Sequence, residues 1–133
     1  LYGRRGFQQY QCVVPSAAAA PVMRALLARI AQSGQASFLA VLKRCGDQAS
    51  AGYLSFPREG LSLALDFPQS ARLAPLFAWM DDCVHEAGGR LYPAKDAHMS
   101  ARHFQQAYPD WVRVEAQRDP WLQSRFWQRV TQS

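Results

Sequence analysis

Residues 61–67 read Leu-Ser-Leu-Ala-Leu-Asp-Phe and are followed by Pro68. Every second residue is large and apolar and those between are small or polar, the pattern of a strand with one buried face. Leu61, Leu63, Leu65 and Phe67 therefore face a core, and Ser62, Ala64 and Asp66 face away from it. Upstream, residues 37–44 (Ser-Phe-Leu-Ala-Val-Leu-Lys-Arg) predict a second strand stopped by Gly46, with Phe38, Ala40 and Leu42 on one face and Leu39, Val41 and Lys43 on the other. Between the two strands, the polar stretch 46–60 carries the turn signals Gly-Asp, Ala-Gly and Pro-Arg-Glu-Gly and predicts a long connection. Its length is enough to gate a pocket.

Further out, residues 6–14 (Gly-Phe-Gln-Gln-Tyr-Gln-Cys-Val-Val) are rich in β-formers and end at Pro15. Tyr10, Cys12 and Val14 join the core side of this strand, and Phe7, Gln9, Gln11 and Val13 point the other way. Ser16 offers an N-cap, and Met23, Leu26, Leu27 and Ile30 recur at helical spacing as far as Gly34. Downstream of Phe67, Leu73, Leu76, Phe77, Met80, Cys83 and Val84 mark an amphipathic helix closed by Gly88-Gly89, and Arg90-Leu91-Tyr92 is a short fourth strand.

The order β-α-β-β-α-β is the signature of an α+β, ferredoxin-like sandwich, an antiparallel sheet with two helices on one face. Residues 1–95 form this core. Residues 96–133 form a C-terminal helical extension of the same domain, with helices over 100–107 and 120–130 joined by Tyr108-Pro109-Asp110-Trp111. Trp111, Trp121, Phe126 and Trp127 predict a packing cluster or a domain contact, and His98 and His103 predict solvent-exposed helix positions.

A chain of 133 residues, 49% hydrophobic and 19% charged, suits one domain with a single core and excludes a disordered or fibrous protein. The longest uncharged apolar stretch, 12–23, is broken by Pro15, Ser16 and Pro21 and falls short of the ~20 residues a spanning helix needs. The chain opens Leu1-Tyr2-Gly3 without methionine and runs straight into strand-like sequence, so the expectation is a segment of a larger protein. Cys12, Cys45 and Cys83 have no CxxC spacing and predict neither a disulfide framework nor a metal site, which favours a reduced, cytoplasmic setting. The net charge is +5, and Arg4, Arg5, Arg24, Arg29, Lys43 and Arg44 all precede the first acidic residue, Asp47. That balance suits an anionic ligand or partner, or simply a solvated basic surface on an arginine-rich protein, since no dense Lys/Arg run occurs. Of fifteen basic residues only Lys43 and Lys95 are lysines, which singles out two places where a compact ammonium is used in an arginine-rich chain.

In the register that buries each apolar set, Gln9, Gln11, Lys43, Ser62 and Asp66 share one open sheet face. Pattern alone leaves this face either open to solvent, as is usual in a two-layer α+β domain, or docked on a ligand or another domain; the N-terminus and the two lysines favour docking.

Four segments in consistent order carry a resemblance to a known family. They are Gly6-Phe7-Gln8-Gln9-Tyr10-Gln11 with Val13-Val14-Pro15, Phe38-Leu39-Ala40-Val41-Leu42-Lys43, Leu54-Ser55-Phe56-Pro57 with Asp66-Phe67-Pro68, and Gly88-Gly89-Arg90-Leu91-Tyr92-Pro93-Ala94-Lys95-Asp96. From about Tyr2 to Trp111 the chain resembles the C-terminal substrate, or cap, domain of FAD-linked oxidases of the vanillyl-alcohol-oxidase type. Within that group it resembles most the decaprenylphosphoryl-β-D-ribose oxidases and the sugar-lactone oxidases. The resemblance implies an oxidoreductase whose FAD is bound mainly by a separate N-terminal domain absent from this chain, with the sheet lying over the flavin. It implies oxidation of a secondary alcohol or lactol by hydride transfer to flavin. The substrate would be a sugar-like small molecule or a lipid-linked sugar, and the setting the cytoplasm, with room for peripheral membrane association. By the same resemblance Lys95 is catalytic and contacts the cofactor, Tyr92 belongs to the same cofactor-proximal block, and Gln9, Gln11, Val41 and Lys43 line the substrate pocket. Ser62 and Ala64 stand in that pocket where the decaprenyl enzymes carry an asparagine and a cysteine. The tail Arg118-Asp119-Pro120-Trp121 is similar to the family's terminal Asp-Pro block with a shorter spacing.

A different reading of the same fold is a stand-alone ferredoxin-like module that binds a ligand or a nucleic acid without catalysis. An RNA-recognition sheet needs exposed aromatics in an Arg/Lys-Gly-Phe-like block, and beyond Gly6-Phe7 this face is Gln, Val and Lys, so no nucleic acid is expected. Neither a Gly-rich dinucleotide loop nor a nucleophile elbow occurs in the chain.

Overall fold

The alternation over 61–67 becomes β3 (Gly60–Pro68), which buries Leu63, Leu65 and Phe67 almost completely. At roughly 1.5–3 kcal/mol for each fully buried side chain, these three form a main anchor of the sheet. The structure, a computed structural model, describes Arg4 and residues 6–132. β3 pairs antiparallel with β1 (Phe7–Val14) on one side and with β2 (Leu39–Cys45) on the other, and β1 pairs with the short β4 (Arg90–Leu91). The strand order β2-β3-β1-β4, all antiparallel, is that of a ferredoxin-like sheet. The fold is α+β, as the order of elements predicts.

Two helices cover one face. In α1 (Ser16–Ser33) the buried residues are Ala19, Met23, Leu26 and Ile30, and Gly34 ends the helix in the left-handed conformation that glycine adopts at least cost. Ser16 is the first helical residue and Pro15 the cap, because the Ser16 hydroxyl is engaged by Glu59 across the chain instead of by its own helix. In α2 (Leu73–Glu86) Leu73, Leu76, Phe77, Met80 and Val84 are buried. α1 lies over β1 and β3, and α2 over β1 and β4. β2 stands outside this cover, which is why Leu42 is 56% exposed although it shares the helix-side face. β2 also starts later than predicted. The Ser37 hydroxyl accepts from the Asp66 amide (3.0 Å) and donates to the Leu39 carbonyl (2.5 Å), so residues 37 and 38 bend before the ladder begins.

The C-terminal residues close the β4 edge. A 3-10 turn (Pro93–Lys95) leads to α3 (Ala101–Ala107), α4 (Trp111–Glu115) and α5 (Arg125–Thr131). Met99, Phe104, Tyr108, Trp127 and Val130 belong to the same buried cluster as the sheet, and the Tyr108 hydroxyl donates to the Leu91 carbonyl at 2.5 Å. α4 replaces the expected linker because Trp111 and Val114 both pack on the cluster at helical spacing. The expected helix over 120–130 starts only at Arg125. Arg118 holds the carbonyls of Asp119 and Leu122, and the Asp119 carboxylate takes the Trp121 amide, so residues 119–122 form a turn. Trp111, Phe126 and Trp127 pack together as expected, whereas Trp121 is 92% exposed.

The expectation of exposed histidines is corrected. His98 meets the buried Asp81 carboxylate at 3.1 Å, and His103 meets Asp82 at 3.3 Å, both with largely covered rings. Their acids come from α2, a contact that sequence spacing does not reveal. His103 in turn stacks on His85, ring centroids 4.0 Å apart. Burial first, then the His103 ring and Arg102, pull the His85 pKa from 6.5 down to about 4, against a smaller opposing pull from Asp82. An unfolded His85 binds its proton more readily than the folded one, so its contribution to stability is complete above about pH 6.5 and is lost as pH falls toward 4. Because the ring is partly exposed, we expect a loss of about 1–2 kcal/mol across that window. Urea midpoints at about pH 7.5 and pH 4.5 measure it, and His85→Phe should flatten the difference. An equal drop in both proteins would remove His85 as the cause.

Candidate active-site face

Strand register builds the open face in rows. Val41 lies opposite Ala64, and Ala64 opposite Gln11. The Tyr92 amide donates to the Gln11 carbonyl at 2.8 Å, so this row continues to Tyr92 beyond the end of β4. A second row runs Lys43, Ser62, Val13 and Arg90, and a third runs Leu39, Asp66 and Gln9. Two amide bonds tie the rows together. Gln9 Nε2 donates to Asp66 Oδ1 at 3.0 Å, and Gln11 Nε2 donates to Ser62 Oγ at 3.3 Å.

The connection 46–59 turns back over this face. Phe56 is buried against Tyr92, ring centroids 4.6 Å apart, and Val13 is sealed although it points away from the helices. The connection is anchored from the sheet side: Arg90 donates to the Ser55 carbonyl (3.0 Å), Arg58 donates to the Gly88 carbonyl (2.8 Å), and Arg113 lies over the Tyr53 ring. Between this wall and the sheet is a cavity of about 480 Å³, lined by Gln11, Lys43, Cys45, Phe56, Ser62 and Tyr92 among others. The volume suits a ligand of sugar to small-drug size. A crevice too narrow for a water molecule runs alongside it, bounded by Gln9, Gln11, Tyr92 and Lys95.

The structure thus brings the residues picked from sequence onto one face. Gln11, Lys43, Ser62 and Tyr92 line the cavity, Val41 and Ala64 occupy the adjoining row, and Gln9 and Lys95 flank the crevice beside it. Sequence reasoning missed Cys45 and Phe56. Phe56 had a signal, since Leu54 and Phe56 are apolar residues in alternation within a polar run, and Cys45 follows Lys43 at the strand period of two.

The face carries two lysines, Lys43 and Lys95, and one carboxylate, Asp66, which accepts from Gln9. Among the described residues neither Lys43 nor Lys95 has a carboxylate within ion-pair distance. Asp96, next to Lys95, is occupied elsewhere: its carboxylate accepts from the amides of His98 (2.9 Å) and Met99 (2.7 Å) and from Arg129. Two free ammonium groups over amide donors and acceptors can hold an anionic, hydroxyl-bearing ligand and can stabilise negative charge that develops there. A second cavity of about 490 Å³ lies on the helix side near α2 and the start of α3. Its acids and histidines already face one another, Asp81 with His98 and Asp82 with His103.

Among the described residues, no set of three or more His, Cys, Asp or Glu side chains is placed to hold a metal ion, and no helix is long and apolar enough to cross a membrane. The three cysteines are free, and burial pushes the Cys12 thiol up to about 12.

In sequence this chain is similar to part of an oxidase. It is 41% identical over 122 residues to decaprenylphosphoryl-β-D-ribose oxidase of Mycolicibacterium smegmatis, an alignment that covers 90% of this chain and 26% of that protein. It is also 35% identical over 119 residues to an uncharacterized protein in the mprA 5′ region of Streptomyces coelicolor, covering 86% of this chain and 32% of the other. The chain therefore spans about a quarter to a third of the length of these curated relatives. No family model matches it.

Proposed function

We propose that this chain is the substrate-covering domain of an FAD-dependent oxidoreductase that oxidises a secondary alcohol or lactol of a sugar-like substrate. The observation that carries the reading is the 41% identity to an oxidase over nine-tenths of the chain, joined to a sheet face whose two lysines have no ion-pair partner among the described residues. The bulk of the FAD would be held by a separate domain. The residues here fit a flavin ring laid over the sheet: Ser62 and Ala64 keep the floor low, Tyr92 and Phe56 flank it, and Lys95 stands at a crevice whose one carboxylate among the described lining residues, Asp96, is engaged by Arg129.

The bound flavin supplies the hydride acceptor. Lys95 holds a fixed positive charge at the crevice beside it and favours negative charge arising there. Tyr92 supports that edge through its tilted ring contact with Phe56. Gln9 and Gln11 orient the substrate through their amides, and Lys43, at the exposed mouth of the cavity, attracts its anionic part. Val41, Ser62 and Ala64 shape the pocket between them. A lipid-linked sugar phosphate is the substrate class that uses all of these features. Such a substrate would bring a cytoplasmic protein to a membrane surface, where the +5 charge suits anionic headgroups.

The full-length gene product tests this. It is expected to be yellow with bound FAD, and a short-chain prenylphosphoryl-β-D-ribose added without oxygen should bleach its absorbance. A colourless protein that does not take up FAD would overturn the reading.

A further inference from the structure

We propose that Asp66 is a positioning residue that fixes the Gln9 amide with its carbonyl oxygen toward the ligand, so that the site selects ligands donating a hydroxyl hydrogen bond at that point. The proposal rests on the open face being the substrate-covering surface.

An amide side chain has nearly the same shape either way round, so its orientation is set by what it faces. Gln9 faces Asp66. The two are register partners on β1 and β3, and Gln9 Nε2 lies 3.0 Å from Asp66 Oδ1. A carboxylate accepts hydrogen bonds and donates none, so the NH₂ end of Gln9 must point to β3 and its Oε1 must point away. Turning the amide over would set oxygen against oxygen at a site where Asp66 is only 8% exposed and water cannot readily intervene. Asp66 itself is held rigidly. Its backbone N–H donates to Ser37 Oγ at 3.0 Å and its carbonyl accepts from the Phe38 amide at 3.1 Å.

Gln11 makes the contrast. Its partner, Ser62, carries a hydroxyl that donates or accepts with equal ease, so the Gln11 amide can follow the ligand. Two glutamines on the same face of one strand thus have different jobs. Gln9 is a fixed acceptor and Gln11 an adaptable group. A ligand presenting a hydroxyl to Gln9 is accepted, and one presenting fluorine or an ether oxygen there meets an acceptor with an acceptor.

The test uses the full-length, FAD-loaded protein, with short-chain prenylphosphoryl-β-D-ribose and its mono-deoxyfluoro analogues as probes and equilibrium affinity as the readout. Wild type is expected to bind at least one fluoro analogue about tenfold more weakly than the parent sugar, the scale of one unmatched buried hydrogen-bonding group. In Asp66→Asn the facing group both donates and accepts, Gln9 is free to turn, and that discrimination should fall to about twofold or less. Gln9→Glu alone opposes two carboxylates and should weaken all probes. Combining Gln9→Glu with Asp66→Asn re-creates a carboxylate-amide pair with an acceptor outward and should restore the discrimination. A merely structural Asp66 would weaken every probe alike with the ratios unchanged, and that result overturns the proposal while leaving the functional reading intact. Failure of the wild type to bind FAD or any of the sugars removes the functional reading, and the proposal falls with it.

Discussion

Replacing Lys95 by methionine is expected to lower kcat/KM by about a hundredfold or more, with the loss in kcat, because removing a single pre-placed group that stabilises developing charge typically costs 10²–10³. The reason lies in how the chain presents this ammonium. Lys95 ends the Pro93–Lys95 turn, its own amide bonded to the Tyr92 carbonyl at 3.1 Å. The neighbouring carboxylate would quench it if it were available. Asp96, however, spends its oxygens on two backbone amides and on Arg129, turned toward α5. The Ala-Lys-Asp order thus separates two tasks: the aspartate fixes the turn, and the lysine, without an ion-pair partner among the described residues, stands beside Gln9 and Gln11. Lys95→Met keeps the length and apolar stem of the side chain and breaks no ion pair, so folding should be preserved. Lys95→Arg should rescue little, since a planar, forked guanidinium does not fit where a compact ammonium is needed. Steady-state kinetics and anaerobic reduction rates of the full-length enzyme measure both. Lys43→Met is the internal comparison, for which the proposed substrate-attracting role predicts a KM raised roughly tenfold with kcat near wild type. A Lys95→Met enzyme within about threefold of wild type would remove Lys95 from the reaction.

Much of the sheet was legible because strand pairing obeys a period of two. Once Leu61, Leu63, Leu65 and Phe67 are assigned to the core, only registers of one parity keep Gln9, Gln11, Lys43 and Ser62 together on the other side, and the β1-β3 and β2-β3 ladders have that parity. Lys95 and Tyr92 are different. They stand beyond the last strand, where alternation has no meaning, so Tyr92 is marked only by resemblance to a known family, and Lys95 by that resemblance and by being one of two lysines among fifteen basic residues. The connection 46–59 was read as a link because its composition is polar. Its role as a wall depends on Phe56 meeting Tyr92 and on Arg58 and Arg90 reaching carbonyls across the chain, contacts between residues some thirty positions apart. The paired histidines were illegible for the same reason, since Asp81 and Asp82 approach from another helix. Local pattern reads faces; it does not read which polar groups meet across them.

Gly60→Ala should be the most damaging small substitution in the domain, costing about 3–5 kcal/mol through positive-φ strain and backbone overlap together. Gly60 adopts φ +148°, outside the range of L side chains, and an added Cβ would stand 2.0 Å from the Val14 carbonyl oxygen and 2.8 Å from its carbon. Both are backbone atoms at the junction of β1 and α1, so no side chain can swing aside to relieve them. The chain approaches so closely here because Gly60 is both the end of the connection and the first residue of β3, paired with Cys45 at the end of β2. Moving it displaces Cys45 and the wall around Phe56 relative to Lys43 and Ser62, so binding should weaken along with stability. For a domain of this size the thermal transition should fall by roughly 10–20 °C. Gly46→Ala supplies the control: it lies at the other end of the same connection, and a Cβ there meets nothing within 4 Å, so a change within about 0.5 kcal/mol is expected. Differential scanning calorimetry of both variants distinguishes a local steric requirement from a general intolerance of the connection. Equal stability of the two would mean that the close approach at Gly60 does not constrain the fold.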